Sequence, residues 1–182
     1  MTDALPRLSF EESDSRVQAL LKPVVERLDY FGEFFQVAAN HPDALLKFME
    51  YTGAVKGPLD ANVNELLALT VCSRCPGGEY ERIQHERLSF KSGFSKEWIG
   101  ELTGAIAPAE SQLDTTEQKL RALAVAVVDG EDATETLNAV VEALGAERSV
   151  AVMLQITRFQ TICTLGRVFG MTLPVPSIFA EE

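Results

Sequence analysis

Apolar positions recur along this chain at the three- and four-residue spacing of helices almost everywhere. No stretch alternates Val, Ile and Thr between turn residues in the manner of a strand. The pattern predicts an all-α chain forming one domain over residues 1–182, with a Pro-containing tail at 173–182. Ser13 or Asp14 is placed to cap a first helix running to about 28, kinked or split by Pro23, and a short aromatic-rich helix is expected over 30–39. Asn40-His41-Pro42 ends that run and opens the next, so His41 reads as a boundary residue rather than a catalytic one. A loop is expected over 53–60 and a helix from about 62 to 73. Pro76-Gly77-Gly78 then breaks the chain sharply before a helix over 79–92. Ser95 caps a helix over 96–103, and further helices are expected from 115 or 116 to 128, over 133–144 up to Gly145, and over 147–169. There is no internal repeat and no low-complexity segment.

A chain of this length buries roughly 70% of the surface that its unfolded form exposes, and nothing in it requires a second domain. With 16 Lys+Arg against 27 Asp+Glu the formal charge is −11, which disfavours unspecific attraction to nucleic acid or anionic membrane. The opening residues Met-Thr-Asp-Ala-Leu-Pro-Arg lack the basic and apolar regions of a secretory signal. No segment approaches the ~18 uninterrupted apolar residues of a membrane span. The expectation is a cytoplasmic protein with no nucleic-acid or membrane partner. Three cysteines without an export signal do not suggest a disulfide framework, and Cys163, alone in an apolar helical run, reads as a core residue.

Chemistry concentrates in residues 65–85, which read E-L-L-A-L-T-V-C-S-R-C-P-G-G-E-Y-E-R-I-Q-H. Glu65 shares a helix face with Leu69 and Cys72, where desolvation would make its carboxyl a usable acid or base; the alternative is a dipole contact at a helix N-terminus. Glu81 and His85 lie four apart on one face, either as a surface ion pair or as a carboxylate that holds an imidazole for proton transfer. Tyr80 is displaced by about 100° of helical rotation. Arg74 and Arg82 could supply positive charge for an anionic substrate, and Arg74, just before the turn, is better placed. Cys72 and Cys75 have redox spacing, but Cys72 lies toward a helix C-terminus, where the dipole disfavours a thiolate. Two clustered thiols fall short of the four ligands of a structural zinc site, so no metal is expected.

The order N-E-L-L-A-L-T-V-C-S-R-C, then E-Y-E-R-I-Q-H, then G-F-S-K-E-W-I, with N-H-P-D-A-L-L-K-F-M-E-Y upstream, resembles the carboxymuconolactone decarboxylase and alkylhydroperoxidase D-like superfamily across most of the chain. The peroxidase branch resembles C-x-x-C-x-x-x-H, whose cysteines would fall at Gly78 and Glu81. The cysteines here lie upstream of that register, whereas Tyr80-Glu81 before His85 matches the decarboxylase-like branch. Two departures are Arg82, where a tryptophan commonly follows Tyr-Glu, and a turn around Pro76-Gly77-Gly78 one residue longer. The resemblance implies an all-helical subunit, a homo-oligomer (dimer, trimer or hexamer), and a cofactor-free site near the helix pair.

Together these readings point to a carboxy-lyase or proton-transfer isomerase acting on a small anionic substrate, lactone-bearing or polyketide-like. His85 is expected to act as general acid, Glu81 to orient it, Glu65 to serve as a second proton-transfer group, and Arg74 and Tyr80 to bind substrate. Two alternatives stand beside it: a thiol-dependent peroxidase or reductase using Cys72 and Cys75, and a non-catalytic helical oligomer.

Overall fold

The computed structural model of the chain describes residues 5–180. Residues 1–4 of the opening segment and 181–182 of the tail lie outside the described residues. Eight helices, and no strand among the described residues, confirm the all-α expectation: α1 (Ser15–Leu28), α2 (Glu33–Ala38), α3 (Pro42–Lys56), α4 (Ala61–Arg74), α5 (Glu79–Lys91), α6 (Lys96–Thr103), α7 (Thr115–Asp129) and α8 (Thr134–Phe169). None of them is long and apolar enough to cross a membrane.

Local chemistry accounts for most of the boundaries. Asp14, Ser95 and Asp114 each accept a hydrogen bond from a first-turn amide of α1, α6 and α7, and Asp114 forms a capping box with Glu117. His41 caps α3 through Nδ1, as its place before Pro42 suggests. Gly145 takes a non-helical backbone inside α8 (φ 78°, ψ 168°), so the predicted stop survives as a break within one long run. α1 runs to Leu28 as expected and is not split at Pro23. Two boundaries differ from expectation. α2 starts only at Glu33, because Gly32 is extended. α3 runs through Gly53 to Lys56, since burying Val55 outweighs the poor helix propensity of one glycine.

α4 is the central element. From Val63 to Cys72 every residue but Glu65 is buried, as expected of a helix covered on all sides. It packs against α5, α6, α7 and α8. One apolar cluster joins Leu66, Leu67 and Leu69 to Ile99, Leu120, Leu123, Ile156 and Phe159; a second joins Val17, Leu21, Phe34 and Leu45 to Tyr80, Ile162 and Met171. α8 contributes Phe159 to the first and Ile162 to the second, so it ties the two together.

The turn between α4 and α5 is fixed by close approach. Gly77 has φ 84°, and a Cβ there would lie 2.4 Å from the Arg167 Cβ; a Cβ on Gly78 would lie 2.0 Å from the Cys72 carbonyl oxygen. Side chains at either position would push the start of α5 away from α4 and α8. The described part of the tail is docked. Arg87 and Lys96 donate to the carbonyls of Pro176 and Ile178, Ser177 bonds the buried Glu86, and Ile178 and Phe179 pack against the first cluster.

Candidate active site

Glu65 lies in the second turn of α4, while Glu81, His85 and Ser89 follow one another at four-residue intervals along α5. The tight Pro76-Gly77-Gly78 turn lays these two faces together. His85 Nδ1 is 2.7 Å from Glu65 Oε2, and the same oxygen accepts the Ser89 hydroxyl at 3.0 Å. On the other side of the ring, His85 Nε2 is 3.4 Å from Glu81 Oε2. The imidazole is buried between the two carboxyl groups and packs T-shaped against the Phe159 ring, 5.3 Å between centroids.

Glu65 rather than Glu81 is the tighter partner and orients the ring. Glu81 holds the opposite nitrogen at a distance too long for a strong hydrogen bond. The charge balance follows from this geometry. Burial pushes the imidazole down, but the charge and hydrogen bond of Glu65, reinforced by Glu81, outweigh it and raise His85 from 6.5 to about 9. Burial likewise raises Glu65, but His85, Ser89 and the charge of Lys56 overcome it, leaving the carboxyl below its ordinary range. Near neutral pH His85 is therefore an imidazolium paired with the Glu65 carboxylate, with a proton on each ring nitrogen.

Two further cations lie within electrostatic reach of this centre. Arg158 of α8 is buried, donates from Nε to Gln155 Oε1 at 2.9 Å, and places its guanidinium carbon 4.1 Å from the centroid of the Phe159 ring that packs against His85. Gln155 is held in turn by donating to Asn64 at 3.0 Å. No carboxylate among the described residues pairs with Arg158. Burial lowers its pKa, while the charges of Glu81 and Glu65 oppose that. Lys56, brought in by the extra turn of α3, is partly buried; burial lowers its pKa and the charge of Glu65 partly restores it. A buried guanidinium without a carboxylate partner is costly unless an anion meets it.

The remaining predicted residues are engaged elsewhere. Tyr80 is buried between α5 and α2, its hydroxyl accepting the Phe34 amide at 3.4 Å in space left by Gly32; burial, then the Glu81 charge, pushes its phenol up. Arg74 forms an ion pair with Asp129 at the end of α7, and Arg82 pairs with the fully buried Glu86. Neither arginine bonds to the Glu65–His85–Glu81 cluster. The thiols pair differently from their spacing: Cys72 Sγ lies 3.7 Å from Cys163 Sγ, so Cys163 is a core residue, as expected, but not alone. Burial pushes the Cys72 thiol well up, and burial followed by the charge of Cys163 pushes Cys75 to about 11, both unfavourable to a thiolate. Among the described residues no group of three or more His, Cys, Asp or Glu is arranged to hold a metal ion.

Ser89, Arg158 and Lys56 escaped the sequence reading. Arg158 left a signal, because it falls at i+7 from Ala151 and i−4 from Ile162, a charge on the buried face of an apolar helix. Lys56 left none, lying in a segment expected to be a loop. Comparison of the chain with protein-family models and with curated proteins gives no match.

Proposed function

We propose that this protein is a proton-transfer enzyme, a decarboxylase-like lyase or isomerase acting on a small anionic substrate, with His85 as its general acid. The observation that carries this reading is the unequal grip on the imidazole, 2.7 Å to Glu65 at Nδ1 and 3.4 Å to Glu81 at Nε2. The Nδ1 proton is retained by a strong charge-assisted bond, while the Nε2 proton is weakly held and transferable. The resemblance of the Tyr80-Glu81 to His85 segment to carboxymuconolactone decarboxylase agrees with this chemistry.

In the proposed reaction, Arg158 and Lys56 take the anion-binding part given to Arg74 by the sequence reading. They hold an oxygen of the substrate, so that charge developing on a conjugated carbonyl meets fixed cations in a site of low dielectric. When the carboxylate C–C bond breaks, carbon dioxide leaves and the electron pair passes into the carbonyl as an enolate. His85 Nε2–H then protonates the carbon, and the imidazole recovers its proton from solvent. Glu81 steadies the imidazolium before transfer, and Glu65 with Ser89 keeps the ring aimed. An isomerase would use the same acid without loss of carbon dioxide.

The family resemblance extends the proposal to a homo-oligomer. Val150, Leu154 and Val168, exposed along α8, offer apolar surface for it, and sedimentation equilibrium measures the subunit number. The activity is tested by incubating the protein with carboxylated lactones and aromatic acids in deuterated water, with NMR detection of carbon-bound deuterium and of carbon dioxide. Turnover of at least one compound, lost in His85→Gln, is the expected result. Wild-type turnover by His85→Gln overturns the assignment.

A further inference from the structure

On the outer side of α5 lies a groove of about 780 Å³ whose walls come from the end of α1, the start of α6 and the docked tail. Arg27, Arg87, Lys91 and Lys96 line it, four of the sixteen lysines and arginines of a chain with net charge −11. None of the four pairs with a carboxylate among the described residues, and Asp29 is the one acidic residue in the lining. Of the other twelve, Arg7, Arg16, Lys47, Arg74, Arg82 and Arg148 each have a carboxylate partner and six have none among the described residues, so what sets the groove apart is the gathering of four unpaired cations in one place. Four like charges gathered around a single acidic residue, Asp29, repel one another, and a multiply charged anion entering between them relieves that repulsion.

The rest of the lining adds a second requirement. Leu28, Leu88, Val175 and Ile178 present apolar surface, and the Phe90 ring is half exposed beneath the Lys96 ammonium, 5.9 Å from its centroid. Arg87 and Lys96 bind tail carbonyls through one donor each, so further donors on both remain for a ligand. The volume is that of a small-molecule pocket.

We propose that this groove binds a small organic polyanion, phosphate- or carboxylate-bearing, whose charged groups sit among Arg27, Arg87, Lys91 and Lys96 while an apolar or planar body lies on Phe90, Leu88 and the tail. Glu65, Glu81, His85, Lys56 and Arg158 are not part of its lining, so the groove shares no residue with the proposed catalytic centre, although it borders that centre through Arg27 and Tyr30.

Isothermal titration calorimetry on the full chain, without added metal, tests this with adenosine, AMP, ADP, ATP, pyrophosphate and trimesate. Affinity is expected to rise with charge from adenosine to ATP, or to be found for trimesate instead, which would identify a polycarboxylate as the ligand class. Pyrophosphate, which lacks a body, is expected to bind more weakly than ADP. Arg27 and Lys91 do not hold the tail, so Arg27→Gln/Lys91→Gln tests the charges with the fold intact, checked by circular dichroism. It should weaken binding by about a hundredfold, on the order of tenfold per charge-assisted contact. Equal binding of adenosine and ATP, an unchanged Kd in the double variant, or no binding of any probe overturns the proposal. So does binding seen only in a chain ending at Ala180, which would assign the groove to the acidic residues 181–182.

Discussion

Glu65 and His85, twenty residues apart in sequence, meet at 2.7 Å across the turn that joins α4 to α5, and this bond engages Nδ1 while leaving Nε2 to the longer contact with Glu81. Ser89 reinforces the Glu65 side and Glu81 holds the other more loosely.

A double-mutant cycle measures that bond. His85→Gln leaves a carboxylate facing a neutral group, and Glu65→Gln leaves a buried imidazole without its main counter-charge. Each single change is expected to destabilise the protein by about 3 kcal/mol, as when one member of a buried pair is removed. Urea unfolding of both single variants and the double variant should show coupling of at least about 1 kcal/mol. Strict additivity would mean that the two side chains do not interact in solution.

The pH dependence of stability has a definite sign. The folded state raises the His85 pKa from 6.5 to about 9, so the native protein binds a proton more tightly than the unfolded chain. The resulting stabilisation is fully present below pH 6.5, declines as pH rises, and is lost above about 9. Its size is on the order of 3 kcal/mol. Thermal unfolding between pH 6 and 10 should show this loss in the wild type and not in His85→Gln, and the His85 ring resonances should titrate near 9. A midpoint near 6.5 would remove both the stability term and the imidazolium on which the proposed general acid depends.

Arg158 separates stability from binding. Replacing this buried guanidinium with methionine keeps contact with Phe159 and removes an unpaired charge, so the variant is expected to be as stable as the wild type or more so. The proposed substrate grip is lost with it. For a compound turned over by the wild type, kcat/KM should fall by about a hundredfold, comparable to loss of one strong charged contact. A stable Arg158→Met protein with unchanged kcat/KM would remove Arg158 from the site.

Thiol accessibility gives a fourth outcome. Cys75 is partly exposed, whereas Cys72 and Cys163 are buried against each other. Iodoacetamide should label Cys75 first in the native protein and reach the other two only on unfolding. Diamide treatment followed by peptide mapping should give a Cys72–Cys163 bridge in preference to the Cys72–Cys75 bridge suggested by spacing, because Cys163 Sγ already lies 3.7 Å from Cys72 Sγ. A Cys72–Cys75 bridge as the main product would return the dithiol reading to the front.

Helical class, the cap at Ser95, a cap at Ser13 or Asp14, the boundary at His41, the stop at Gly145 and the break at Pro76-Gly77-Gly78 were all legible along the chain, because each is decided within one or two turns of backbone by local hydrogen bonding and backbone freedom. The alignment of Glu81 with His85 was legible for the same reason, since helical period alone puts them on one face. What the amino-acid order did not determine was how the helices lie against one another. That arrangement chose Glu65 over Glu81 as the close partner of His85, set Cys163 beside Cys72, turned Tyr80 toward α2, committed Arg74 to Asp129, and brought Arg158 and Lys56 within reach of the charge of Glu65 and Glu81. These are contacts between residues distant in sequence, selected by the packing of α4 against its neighbours and by the close approach of Gly77 and Gly78 to α8 and α4; a periodicity read along one helix carries no information about them.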